Sequence, residues 1–321
     1  MTGSRTGMGL ALAGAAALWS AAALQAQQHS VAVSPTAEMH RGVELVETGH
    51  CSQALPILER NLPRVTERAL RDQGQMAAVR CAMAVGEERV AADYLFELQQ
   101  DSPGNPEILF VQTHLFSAMA MRAARELQAK HPDSYQAQRL QAESLESQGK
   151  NDQAATLYRK ILKNHPNVPG IHYHLGQIAL AEAGDAGSTD AAQQEFEKEL
   201  AVDPTDASAA FILGELARRK GDWSRAVEYF TRATHLDVGF SEAYLALGMS
   251  LAGEGKFSLA KPALEHYVKL EPNDPAGHYQ LAVADARTGD QAGAQREMAL
   301  QAQAAAGNKA TDTTQGHAIQ P

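Results

Sequence analysis

Aromatic residues, cysteines and basic runs are all scarce in this chain. Phe, Trp and Tyr together make up 6% of its 321 residues. A β-sandwich fills its pleated faces with aromatic and β-branched side chains, so that class is disfavoured. Alanine is abundant instead, which suits helices packed at close range. The 28 Lys and Arg are outnumbered by 38 Asp and Glu, leaving a net charge of −10. With no long Lys/Arg run, binding to nucleic acid or to an anionic membrane surface is disfavoured. Past the N-terminus no stretch is long and apolar enough to span a bilayer. No nucleophile elbow, phosphate-cradling Gly loop or paired-Cys motif is found. The expectation is a non-catalytic chain with no cofactor and no metal site.

What is present begins with a targeting segment. Arg5 supplies a positive start, and Met8 to Leu24 is uncharged and rich in Ala and Leu. The small-residue patterns Ala21-Ala22-Ala23 and Leu24-Gln25-Ala26 follow. Residues 1–26 read as a bacterial-type secretory signal peptide, with an uncleaved anchor as the alternative. A mature chain without a membrane span is expected in a periplasm or outside the cell. Residues 27–36 read as a short polar linker.

The strongest internal signal is a period of 34 residues. Leu213-Gly214, Gly221, Trp223, Ala226 and Phe230 recur as Leu247-Gly248, Gly255, Phe257, Ala260 and Leu264, each 34 positions on. A fixed period of this length marks a stacked helical repeat. This pattern of Leu-Gly, then Ala, then a large apolar residue, then Pro resembles the tetratricopeptide repeat (TPR). The resemblance implies an all-α, right-handed superhelical solenoid of about eight helix-turn-helix repeats over residues 37–306. The repeats are expected at 37–67, 68–104, 105–133, 134–167, 168–205, 206–239, 240–273 and 274–306. The third fits only as a shortened helix pair. The fifth carries an interruption of four extra residues near 183–190. Residues 307–321 lack periodicity and are expected to be disordered.

Each unit follows one logic. A glycine such as Gly149, Gly221, Gly255 or Gly289 closes the first helix, helix A. Asp152, Asp222 and Asp290 stand as acceptors near the start of helix B. Proline ends helix B, as at Pro103, Pro166, Pro204 and Pro272. Trp223 and Phe257 share one repeat position and are expected to pack under the A–B turn; the alternative is an exposed aromatic pair for a ligand.

The resemblance implies a concave face built from helix A positions. Those positions carry Tyr173, Gln177 and Leu180; Phe211, Glu215, Arg218 and Arg219; Leu245 and Met249; Tyr279, Val283 and Arg287; and, in the fourth repeat, Arg139, Glu143 and Glu146. The Lys and Asn clamp that some cytosolic TPR domains use for acidic C-termini is missing, since Phe211, Glu215, Leu245 and Met249 occupy its places. The expected function is a protein-interaction scaffold of the cell envelope that takes a peptide or protein, centred on repeats five to seven. One alternative is a structural subunit that stacks or dimerises through its terminal repeats. Another is a metal-dependent enzyme using His165, His172 and His174, disfavoured because residues two apart on a helix face apart. The acidic run Glu195 to Glu199 is expected on a solvated face around a core Phe196.

Cys51 and Cys81 are the only cysteines. They fall at the start of helix B in repeat one and in helix A of repeat two, elements that the resemblance packs together. In an exported chain they are expected to form a disulfide. The alternative is two buried thiols.

Overall fold

The structure, a computed structural model, describes residues 34–182 and 186–315, without the side chains of 186–188 and 308–315. The signal segment 1–26 and most of the linker therefore lie outside the described residues. Among those described, fifteen α-helices and one 3₁₀ turn occur, and no strand. They divide into two units, Met1–Arg125 and Glu126–Pro321.

In the first unit, α1 (Pro35–Glu47) pairs with α2 (Cys51–Asn61), and α3 (Arg68–Val85) with α4 (Glu88–Asp101). Ser34 caps α1 by accepting from the Ala37 amide, and Pro35 starts the helix. The last residues of the expected linker are thus already ordered. Met39, Leu58 and Leu95 are fully buried at the centre of this unit. Gly42 has no side chain because Leu58 lies there; a Cβ would meet its Cδ2 at 2.7 Å. Cys51 and Cys81 are joined by a disulfide that ties α2 to α3 across 30 residues of sequence.

The segment expected as a third helix pair, 105–133, is instead one helix, α5 (Pro106–Lys130). The reason is in the residues. Every other A–B turn of the described units outside the fifth repeat holds a glycine at positive φ, as at Gly149 (73°) and Gly221 (75°). Residues 106–130 contain no glycine at all, so the helix has no place to reverse.

The second unit is a succession of helix pairs. Its members are α6 (Tyr135–Ser147) with α7 (Asn151–Asn164), α8 (Ile171–Ala181) with α9 (Ala186–Val202), and α10 (Ala207–Arg219) with α11 (Trp223–Leu236). Next come α12 (Ser241–Gly253) with α13 (Phe257–Leu270), and α14 (Pro275–Thr288) with α15 (Gln291–Gln315). Helices A and B touch where one side is nearly absent. A Cβ on Gly214 would lie 2.6 Å from the Phe230 ring, and one on Gly248 would lie 2.5 Å from Leu264. Phe196 and Phe230 are fully buried, each against such a glycine. Burying one such side chain is worth roughly 1.5–3 kcal/mol.

Three local expectations need correction. Asp222 and Asp290 do cap their helices, accepting from the amides of Arg225 and Gly293, but Asp152 sits inside the first turn of α7 and makes no cap. The backbone of α15 stays helical to Gln315, past the expected boundary at Gly307. The Ala-rich stretch before it favours helix, and one glycine costs only about 1 kcal/mol. Residues 316–321 lie outside the described residues. The third correction is Glu199, taken up below.

Candidate functional site

From α8 onward the first helix of each pair in the second unit carries a large apolar or aromatic side chain at one repeated position. These are Tyr173 on α8, Phe211 on α10, Leu245 on α12 and Tyr279 on α14. Tyr173, Phe211 and Leu245 are half-buried, and Tyr279 is 49% exposed. The first three are held from below. Tyr173 meets the Phe196 ring edge-on at 5.5 Å, and its hydroxyl accepts from Gln177 at 2.8 Å. Burial raises the Tyr173 pKa, so its hydroxyl stays neutral. Phe211 lies between Phe230 and Phe240, at 5.6 and 4.9 Å between ring centres. Leu245 packs on the Leu247–Leu264 core, and Met249 beside it is also half-buried.

The charged residues expected alongside are already engaged. Arg218 grips Glu215 with two bonds of 3.0 and 2.8 Å, one turn away on the same helix. That bond raises the guanidinium's pKa further. Arg219, its neighbour, is exposed. Arg287 lies over the Phe257 ring at 5.3 Å, a cation–π contact. Its counterpart one period earlier is Gly253, and there the larger Trp223 ring fills the space, 3.0 Å from where a Cβ would stand. Both aromatics therefore pack on the A helix of the following repeat.

At the fourth and fifth repeats the same face is a closed polar network. Arg139 bonds Glu143 at 2.7 Å and the Pro169 carbonyl at 3.0 Å. The Tyr158 hydroxyl donates to Glu146 at 2.9 Å, and His174 stacks on the Tyr158 ring with Nδ1 3.0 Å from Glu146. Burial and the Glu146 bond push the Tyr158 pKa up. His172 turns to Glu195 on α9 at 2.7 Å, and His165 packs on Tyr135 at 5.1 Å. The three histidines do not converge, and no group of three metal-type ligands forms among the described residues.

Glu199 is the residue that sequence reasoning misplaced. It is 1% exposed, and its two oxygens accept from the Gly170 amide at 2.6 Å and the Tyr173 amide at 3.1 Å. Gly170 enters α8 with φ 85° and has no side chain to cap it. Glu199 supplies the cap from the partner helix. Glu195 is half-buried as well. Burial works against its charge, but bonds from His172 and Lys198 outweigh that and hold its pKa low. Spacing was the available signal, because position 199 lies one turn from the core residue Phe196 and on its face.

The first unit offers a cleft of 320 Å³ between α1, α3 and the start of α5. Val43, Val46, Met76 and Ile108 form its apolar part, and Glu47, Asp72, Arg80 and Glu107 stand around them. None of these residues was singled out in the sequence.

Family models described as Tetratricopeptide repeat match residues 118–169, 141–185 and 182–237, and a further one matches 241–274. The chain is a tetratricopeptide-repeat protein. Solved TPR structures are similar to it. One, described as YrrB, a TPR protein with an unusual peptide-binding site, is 20% identical with a TM-score of 0.49, over 57% of this chain and 92% of that one. Another, MamA, is 23% identical with a TM-score of 0.45, over 51% of this chain and 87% of that one. In TPR terms α6, α8, α10, α12 and α14 are the A helices, and the stripe from Tyr173 to Tyr279 lies at equivalent A-helix positions of four successive repeats.

Proposed function

We propose that this TPR chain is a non-catalytic protein-interaction scaffold of the bacterial cell envelope. It holds a peptide or protein segment in a groove along the A helices of its second unit. The observation that carries this reading is the stripe Tyr173, Phe211, Leu245 and Tyr279: large side chains, partly open to solvent, repeated where a solely structural face is polar. Packed helices lie about 8–10 Å apart, and an extended chain rises about 3.3 Å per residue. An extended segment crossing these helices therefore meets one stripe residue about every three of its own. The matching ligand carries apolar side chains at that spacing. Arg218 is not free to take a carboxylate of that segment, because Glu215 already neutralises it.

Export is supported by the signal-like segment 1–26 and by the disulfide, which persists only in an oxidising compartment. Intact-mass measurement on protein from the envelope fraction tests it; a mature start between Leu24 and Gln28 is expected, and a cytosolic chain beginning at Met1 overturns it. For binding, Leu245→Ser and Tyr279→Ser are compared with wild type for partner recovery from envelope extract. Recovery is expected to fall about tenfold or more for each, as for a truncated anchor of at least 1.4 kcal/mol, with the fold retained. Unchanged recovery in both variants removes the groove from this face.

A further inference from the structure

The cleft of the first unit is built from single faces of its helices. On α3, Asp72, Met76 and Arg80 follow at intervals of four, one stripe of that helix, and on α1 Val43 and Glu47 stand one turn apart. The floor is apolar. Val43, Leu98 and Ile108 are buried there, and Val46 and Met76 line it half-buried. Met76 stands ten residues before the turn glycine Gly86, as Phe211 stands before Gly221 and Leu245 before Gly255. It therefore occupies, in the first unit, the repeat position that forms the stripe of the second.

Charge sets the cleft apart from that stripe. Three carboxylates and one guanidinium line it. Arg80 bonds Glu107 at 2.8 Å, so these two cancel. Glu47 is exposed, and its carboxylate has no partner among the described residues. Asp72 is half-buried. One of its oxygens lies 3.7 Å from Arg68, longer than a hydrogen bond, and the other has no donor. Arg68 itself donates to the Asp101 carbonyl at 2.7 Å. The lining thus keeps a net charge of two carboxylates, Glu47 and Asp72, beside an apolar floor.

We propose that this cleft is a second binding site, and that it takes a lysine side chain with apolar neighbours on a peptide segment. A lysine lays its four-carbon stem on apolar surface while its ammonium finds carboxylate acceptors, which here are Glu47 and Asp72. An acidic ligand meets repulsion instead, since the one lining cation is held by Glu107. The volume of 320 Å³ is at the small end for ligand pockets, which suits a few side chains of a longer chain. The choice of a peptide over a free amine rests on the groove reading above, through the shared position of Met76; the choice of a cation rests on the cleft alone.

The test is fluorescence anisotropy on the full chain with a labelled peptide, Gly-Leu-Ser-Lys-Ser-Leu-Gly, whose Leu, Lys and Leu share one side when extended. Saturable binding is expected with a Kd below about 1 mM. The same peptide with Glu in place of Lys is expected to bind at least about tenfold more weakly. Glu47→Lys and Met76→Ser are each expected to raise the Kd about tenfold, and Asp72→Asn about fivefold. Glu47 is exposed, so its variant is expected to keep the wild-type melting temperature. Leu245→Ser, in the second unit, is expected to leave the Kd unchanged. No saturable binding of the lysine peptide, equal binding of the glutamate peptide, or a Kd untouched by Glu47→Lys overturns the proposal. Binding lost in Leu245→Ser but kept in Glu47→Lys also overturns it, while leaving the groove of the second unit standing. Butylamine that competes as well as the unlabelled peptide overturns the choice of a peptide.

Discussion

Two side chains show how single residues hold repeats together. Glu199 caps α8 from α9 with both oxygens, in a place that no solvent reaches. Glu199→Ala leaves two buried amides without acceptors and is expected to cost about 2–3 kcal/mol in urea unfolding; Glu199→Gln, which keeps one oxygen, is expected to cost about half. A loss below about 0.5 kcal/mol for alanine, the size of an ordinary surface change, contradicts the capping role. His278 is the second case. It is buried, with Nδ1 2.7 Å from Glu297 and Nε2 3.0 Å from the Pro272 carbonyl. Both partners only accept, so both ring nitrogens donate and the ring is a cation. Burial by itself lowers its pKa, but the bonds to Glu297 and Pro272, with Asp274 nearby, outweigh that and raise it. A raised histidine pKa means stability that is full below the unfolded value of about 6.5 and lost as pH rises through the folded value. The melting advantage of wild type over His278→Gln is therefore expected to shrink as pH rises from the unfolded value through the raised folded one. An advantage that grows with pH contradicts a charged ring.

At the scale of helices, close approach sets the geometry of a repeat. Gly214 and Phe230 touch so tightly that any Cβ at 214 pushes on the ring. Gly214→Ala is expected to destabilise by about 1–3 kcal/mol through overpacking, and a neutral result contradicts the contact. The disulfide acts between α2 and α3. It closes a loop of 30 residues. In the chain-entropy picture its loss costs about 3–4 kcal/mol. Under reduction, hydrogen exchange is expected to speed up in α1 to α4 and to stay unchanged in α10 to α14. Equal acceleration in both units contradicts a local effect.

For the molecule as a whole, much of the architecture was legible because period and glycine placement repeat. Gly214 and Phe230 with Gly248 and Leu264 disclose one helix pair twice, and the turn glycines mark where pairs reverse. What stayed hidden depends on contacts that have no period. The single helix at α5 was hidden because its apolar residues fit a hairpin about as well as a helix; only the missing glycine separates the two. Glu199 looked like one more surface carboxylate, since charge in a sequence does not disclose burial. Arg218 and Arg287 looked available at their A-helix positions, yet Glu215 and Phe257 hold them. The stripe from Tyr173 to Tyr279 was readable, because it repeats.

That stripe carries the central claim, and site-specific photo-crosslinking in the producing cell tests it most directly. A photoreactive residue is placed in turn at Leu245, at Tyr279 and at Leu259, an apolar position on α13 that is 61% exposed. The expected result is one discrete protein or peptide adduct, shared by positions 245 and 279 and missing at 259. Adducts of equal yield at 259, or none at 245 and 279, contradict a partner held along the A helices.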